Sequence, residues 1–279
     1  MRTSRVGHSY MRVVLALDDG GPPLADRGWD SWVRLFVPRA VGDADAGSAP
    51  LVLPRGPATG WYARWKELPE HTRADIRNET VRAVRTDPAT GACELDLDLV
   101  VHAGPDGAVT GPAGRWATTA RPGDRAGLLE QGTIIDEALG LAAGAPLDGP
   151  LVLLADEAGV PAAESTARSL PAGSRALVVL EVPHADDARA TCSAADVDVR
   201  WVVRAPGEAS GAAALGHLRR LVEADPSLLP ADARLVAVGE TGAVAGARHF
   251  ALSRGLQPGR VRACPYWLLD RPGKRRSAS

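Results

Sequence analysis

The sequence predicts a β-barrel plus α/β architecture, with an N-terminal antiparallel barrel over residues 1–145 and a C-terminal parallel, helix-covered sheet over 146–279. Three observations carry that expectation. Glu94–His102 alternates strictly, with Leu95, Leu97, Leu99 and Val101 on one parity and Asp96, Asp98 and Val100 on the other, which is the pattern of a strand with one buried face. After Leu151 the rhythm changes to short all-apolar strands separated by helical segments, the pattern of a parallel sheet covered on both faces. Between the two halves, Ala142–Gly149 concentrates Gly, Ala and Pro and reads as the boundary.

In the first half, Met11–Leu17 and Trp32–Val37 read as strands, the second ended by Pro38. Gly42–Gly60 reads as a loop with at most one short strand at Leu51–Leu53, and no helix is expected before Gly111. In the second half, strands are expected at Leu151–Ala155, Ala176–Val182, Val197–Val203, Arg234–Gly239 and Val261–Leu268. Helices are expected at Pro161–Leu170, Ala212–Ala224 and Gly242–Arg254; the second places Leu215, Leu218, Leu221 and Val222 on one face. The polar, basic tail Arg271–Ser279 reads as frayed.

Composition narrows the classes of function. The 279 residues carry a formal net charge of −2, so no field of one sign points to nucleic acid or to an anionic membrane. Nearly all the cations are Arg, Lys66 and Lys274 being the only lysines. The apolar run Val13–Leu17 is too short for a signal peptide or a membrane span, and Cys93, Cys192 and Cys264 lack metal or redox spacing; together these imply a cytoplasmic protein. Six histidines show no metal-ligand spacing, so no metal site is expected. There is no phosphate loop ending in Gly-Lys-Ser/Thr and no G-x-S-x-G nucleophile elbow.

Three segments resemble the siderophore-interacting flavoproteins. Arg77-Asn78-Glu79-Thr80-Val81-Arg82 is similar to that family's R-x-Y-T-x-R strand. Asp98 to His102, followed by Gly111-Pro112-Ala113-Gly114-Arg115-Trp116, resembles its D-x-x-x-H-G and G-P-A-x-x-W segments. Ala155-Asp156-Glu157-Ala158-Gly159-Val160-Pro161-Ala162 resembles its [GA]-D-E-T-x-x-P-A. Arg121-Pro122-Gly123-Asp124, Gly239-Glu240 and Tyr266-Trp267 follow in the family's order.

The resemblance implies a ferredoxin-reductase-like fold with FAD on the barrel and NAD(P)H on the sheet. It implies an oxidoreductase that takes electrons from NAD(P)H or a ferredoxin and passes them through FAD to a ferric siderophore. As cofactor-binding residues it implies Arg77, Thr80, Arg82, His102, Gly111, Pro112, Ala113, Trp116, Asp156, Glu157, Tyr266 and Trp267. Arginine suits a diphosphate because its planar fork of donors matches phosphate oxygens.

The chain departs from the family at Glu79, where an aromatic residue would stack on the flavin ring, and also at Ala103, Ala158 and Pro265. Glu79 opens an alternative: a flavin-independent enzyme on the same scaffold, a cyclase or isomerase of small-molecule biosynthesis with Glu79 as acid or base. A non-catalytic small-molecule binding module is the third reading. Other residues have plainer roles open to them, with His102 as a strand-end residue and Trp116 as core.

Overall fold

The structure, a computed structural model, describes residues 1–17, 24–39, 50–104, 106–134 and 146–269. The tail from Arg271 and the Ala142–Ala145 part of the expected boundary lie outside the described residues. Two compact units emerge. The first comprises Met1–Ile134 with Glu164–Thr166 and Asp186–Ala190; the second comprises Ile135–Ala163, Ala167–Ala185 and Thr191–Ser279.

In the first unit, six antiparallel strands lie in the order β1-β2-β5-β4-β3-β8. They are β1 (Arg2–Arg5), β2 (Tyr10–Ala16), β3 (Ser31–Val37), β4 (Asp75–Thr86), β5 (Cys93–Val100) and β8 (Gly127–Thr133). A two-residue hairpin, β6 (His102–Ala103) with β7 (Val109–Thr110), leads into helix α2 (Pro112–Thr119). The long strand β4 turns the corner of the barrel. Its first half pairs with β3, from Asp75 opposite Val37 to Thr80 opposite Trp32, and its second half pairs with β5. The change of partner falls at an irregularity between Val81 and Ala83, where a bulge bends the strand. No pairing joins β1 to β8 among the described residues, so the barrel is open there.

Leu95, Leu97 and Leu99 are fully buried with Val13, Val33, Leu35 and Trp116 of α2. The period-two pattern therefore marks the core face correctly, but the other face is not left to water. Asp96 and Asp98 are buried as well, and arginines cover them: Arg85 reaches Asp96, while Arg12 holds Asp98 through two bonds of 2.7 and 2.9 Å. A second correction concerns helix α1 (Trp61–Glu67), which forms where none was expected. It buries no residue fully, so it lacks the apolar stripe that would announce it. Aromatic edges hold it instead, Trp61 meeting Phe36 at 5.5 Å and Trp65 donating to the Ala74 carbonyl. The expected Leu51–Leu53 strand is a single bridge between Val52 and Arg73.

The second unit is a five-stranded parallel sheet in the order β11-β10-β9-β12-β13. Its elements are β9 (Leu151–Ala155), α3 (Val160–Ser169), β10 (Arg175–Val182), β11 (Asp196–Val203), α4 (Ala212–Ala224), β12 (Arg234–Glu240), α5 (Thr241–Ser253) and β13 (Val261–Trp267). Strand β9 is central, with β10 and β12 as its two neighbours. The chain winds outward to β11 and then returns to the other side of β9, the topological switch at which such sheets take ligands. Val152, Leu154, Val179 and Leu235 pack against Leu215, Leu218 and Val222 of α4 and Val244, Ala247 and Ala251 of α5.

Gly159 is required by packing. A Cβ there would stand 2.6 Å from Val238 Cγ2 and 2.8 Å from the Val238 carbonyl oxygen. Gly159→Ala is expected to destabilise the protein by about 1–3 kcal/mol. Gly216→Ala inside α4, where the nearest obstacle is the flexible Arg220 side chain at 3.4 Å, has the opposite expectation. It should stabilise by about 0.5–1 kcal/mol through helix propensity. Urea denaturation midpoints of the two variants check both signs.

Candidate functional site

The N-terminus of α2 is open. Its N-cap is Gly111 at φ 75° and ψ 146°, a backbone conformation that favours glycine, and no side chain caps the helix. A Cβ built on Gly111 would meet nothing within 4 Å. Pro112 at the first helical position has no N–H, which leaves Ala113 and Gly114 as first-turn amides lacking an intrahelical acceptor. The helix dipole places partial positive charge there, with Gly111 exposed and Ala113 and Gly114 buried behind it. The β6–β7 ladder pairs His102 with Thr110 and so sets exposed His102 beside this glycine. Helix α2 packs against β2, β3, β4 and β5.

On β4, Arg77 is exposed and its guanidinium donates to the Ile76 carbonyl at 2.6 Å. Thr80 donates its hydroxyl to the fully buried Asp30 at 3.1 Å. Between them Glu79 is half-buried, and loss of water around its carboxyl raises its pKa from 4.5 to about 8, against the pull of Arg77. Two cavities in this unit, about 470 and 650 Å³, are lined by other residues, among them Leu15, Val33 and Leu128 for the first and Val52 and Arg55 for the second.

Two residues read as cofactor-binding take other places. Trp116 is fully buried in the core with Leu95, Leu97 and Leu99. Arg82 is drawn to acids: it lies 3.3 Å from Glu164 and 3.7 Å from Asp98. Arg189 joins the same group, 2.6 Å from Glu164 and 3.2 Å from Asp98, with its guanidinium over the Tyr10 ring. The group is partly buried, and its charges balance closely enough to be kept there.

The acids at the end of β9 are also engaged internally. Asp156 is 1% exposed and accepts hydrogen bonds from Glu240 N at 2.6 Å, Trp267 Nε1 at 3.0 Å, Ala158 N at 3.0 Å and Gly159 N at 3.3 Å. Burial, reinforced by the charge of Glu157, raises its pKa to about 7. Gly239, at φ +133°, makes this possible, because a Cβ there would lie 2.5 Å from the Asp156 carboxyl carbon. Glu157 is held by Arg204 at 2.7 and 3.1 Å and by Ser210 at 3.2 Å. Trp267 thus joins Asp156, and Tyr266 beside it is half-buried. Both carboxylates, expected from the sequence near a nucleotide, are buried and bonded to their own chain.

Sequence reading missed Asp30, because a buried acid paired across 50 residues leaves no local signal. It also missed the ladder in which the Arg34 guanidinium lies 5.4 Å from the Trp32 ring and 5.3 Å from the Trp61 ring. Trp32 stands directly opposite Thr80, which places this ladder beside the motif strand.

Comparisons with known proteins identify the family. A model of the siderophore-interacting FAD-binding domain matches residues 1–133, and one of the siderophore-interacting protein matches residues 150–270. The ferric vibriobactin reductase ViuB of Vibrio cholerae is 26% identical over 272 residues, covering 96% of this chain and 87% of its own. Among solved structures, a siderophore utilization protein from T. fusca is 27% identical, with a TM-score of 0.68 over 100% of this chain and 91% of its own. A ferredoxin-NADP+ reductase from Plasmodium falciparum is 8% identical with a TM-score of 0.57, covering 95% of this chain and 94% of its own, and shares the fold.

Glu79 gives stability a pH dependence. Unfolded, its carboxyl ionises near 4.5; folded, it keeps its proton until about 8. Between those values the folded state binds the extra proton, so stability falls as pH rises. Glu79→Gln should flatten that decline, with a smaller difference in Tm between pH 5 and pH 8 than the parent protein has. Equal differences in the two proteins would show that Glu79 ionises normally.

Proposed function

The chain belongs to the siderophore-interacting protein family, and on that premise we propose that it is a flavin-dependent reductase that passes electrons from a pyridine nucleotide or a ferredoxin through FAD to a ferric siderophore. The observation that carries this reading is the uncapped N-terminus of α2 at Gly111, which offers two backbone donors to a diphosphate. The donor set there suits FAD. Ala113 and Gly114 would take phosphate oxygens, and exposed Arg77 would bring a forked cation to the same group. His102, presented by the neighbouring hairpin, would reach the cofactor from the side. FAD supplies the means of accepting electrons from a donor and releasing them one at a time to iron. Ferrous iron binds hard oxygen ligands more weakly than ferric iron, so reduction frees it from the chelate.

Glu79 fits this scheme through its protonation state. Loss of water around its carboxyl raises its pKa to about 8, which favours the neutral form and would limit negative charge beside a ring that gains electrons. Thr80 is held by Asp30, which fixes its hydroxyl on the same strand.

Purified protein reconstituted with FAD should be yellow and should bleach on anaerobic reduction. Arg77→Ala should weaken FAD binding by about 10–100-fold, the range for loss of a charge-assisted bond. Fluorescence titration of flavin measures it. An unchanged affinity would remove Arg77 from the cofactor site, and an absence of any FAD binding would remove the proposed activity.

A further inference from the structure

We propose that β11, an open edge of the second unit's sheet, pairs antiparallel with β11 of a second copy of this chain, centred on Val199, and so joins two five-stranded sheets into one. Such pairing is independent of the flavin chemistry proposed above.

A sheet edge is a row of main-chain donors and acceptors that another strand can take up, and proteins blunt such edges with Pro, Lys, bulges or a covering element. The two edges of this sheet differ. On β13, Pro265 removes a donor, and the β12–β13 ladder carries an irregularity between Gly239 and Glu240. Strand β11 has neither. It pairs with β10 in unbroken register, from Asp196 opposite Arg175 to Val203 opposite Val182, and contains no Pro or Lys. Among the described residues no strand lies on its other side. Asp196, Asp198 and Arg200 are exposed, Val203 is 51% exposed, and Val197, Val199 and Trp201 are half-buried.

The backbone decides which residues can bond outward. The Asp196 amide donates to the Ser174 carbonyl at 3.0 Å, and the Arg204 amide to that of Val182 at 2.9 Å. Even-numbered residues of β11 therefore turn their main-chain groups toward β10, and those of Val197, Val199, Trp201 and Val203 point away from the sheet. An antiparallel partner centred on Val199 uses that outward set. Val199 exchanges both bonds with its counterpart, and Val197 does so with Trp201 of the second copy.

The side chains select the same register. It sets Asp198 opposite Arg200 of the second copy, and Arg200 opposite the second Asp198, at the close positions between hydrogen-bonded pairs. Within one chain these two already form an ion pair at 2.8 Å, with both side chains about half exposed. The dimer closes them into a ring of four alternating charges, each acid between two guanidiniums. On the other face Trp201 meets Val197, an aromatic against a β-branched side chain, and Val199 meets itself. Moving the centre to Val197 would set Asp196 against Asp198, and moving it to Trp201 would set Arg200 against Val202. Only the Val199 centre matches charge with charge, and self-complementarity of this kind is what a two-fold axis requires.

Sedimentation velocity across a concentration series tests the pairing, with circular dichroism to confirm that each variant is folded. The parent chain should show a species of twice 29.1 kDa that dissociates on dilution. Its dissociation constant should be ~1–100 µM, as suits an interface at the small end of the specific range. Asp198→Arg and Arg200→Asp, each alone, place like charges opposite one another and should raise that constant by at least ~10-fold. An equimolar mixture of the two variants restores opposite charges at every position and should dimerise as tightly as the parent, as should the double exchange in one chain. A parent chain that stays monomeric up to ~500 µM would overturn the proposal. Single variants that dimerise as tightly as the parent, or a mixture no tighter than its components, would overturn it too.

Discussion

The second unit depends on buried carboxylates placed where its strands end. Asp156, Glu181 and Glu240 each accept backbone amides from the helix or turn that follows their own strand or a neighbouring one. The main-chain donors at a helix start are orphaned by helix geometry itself, and an acid at the strand end satisfies them while opposing the helix dipole. Small residues are the other half of the arrangement. Gly239 admits the Asp156 carboxyl, and Gly211, at φ +79°, would otherwise drive a Cβ to 2.4 Å from that of Ala243. Acids, glycines and the Arg204 clamp therefore form one constraint, and substitution of any one is felt by the rest.

The first unit handles charge differently. Its outward acids, Asp96 and Asp98, are buried beneath arginines from other elements, and this covering makes a half-polar strand part of the interior. Arg82 is drawn into the same group, while Arg77 on the same strand stays exposed. Residues with the same chemistry and nearly the same address thus part company because of what lies across from them.

How far the sequence could be read follows from the range of the interactions involved. Leu95, Leu97 and Leu99 declare their strand because alternation is local, and the apolar runs from Leu151 onward declare a parallel sheet for the same reason. Helix α1 was silent because aromatic contacts hold it without an apolar face. At the candidate site, Gly111 and Arg77 stand out in the sequence as motif positions, and both are exposed. The core role open to Trp116 was legible, whereas the partners of Arg82, Asp156 and Glu157 were not, since each lies far away in sequence.

The bonds of Asp156 also bear on the order in which the second unit is completed. Its carboxyl accepts from Glu240, 84 residues later, and from Trp267, 111 residues later. A ribosome-bound chain that has not yet emerged through Trp267 has a central strand whose terminal acid lacks part of its seal. Contacts of such long sequence separation form late and slow the closing of a parallel sheet. The unit is therefore expected to gain its full cooperativity only once β13 is in place.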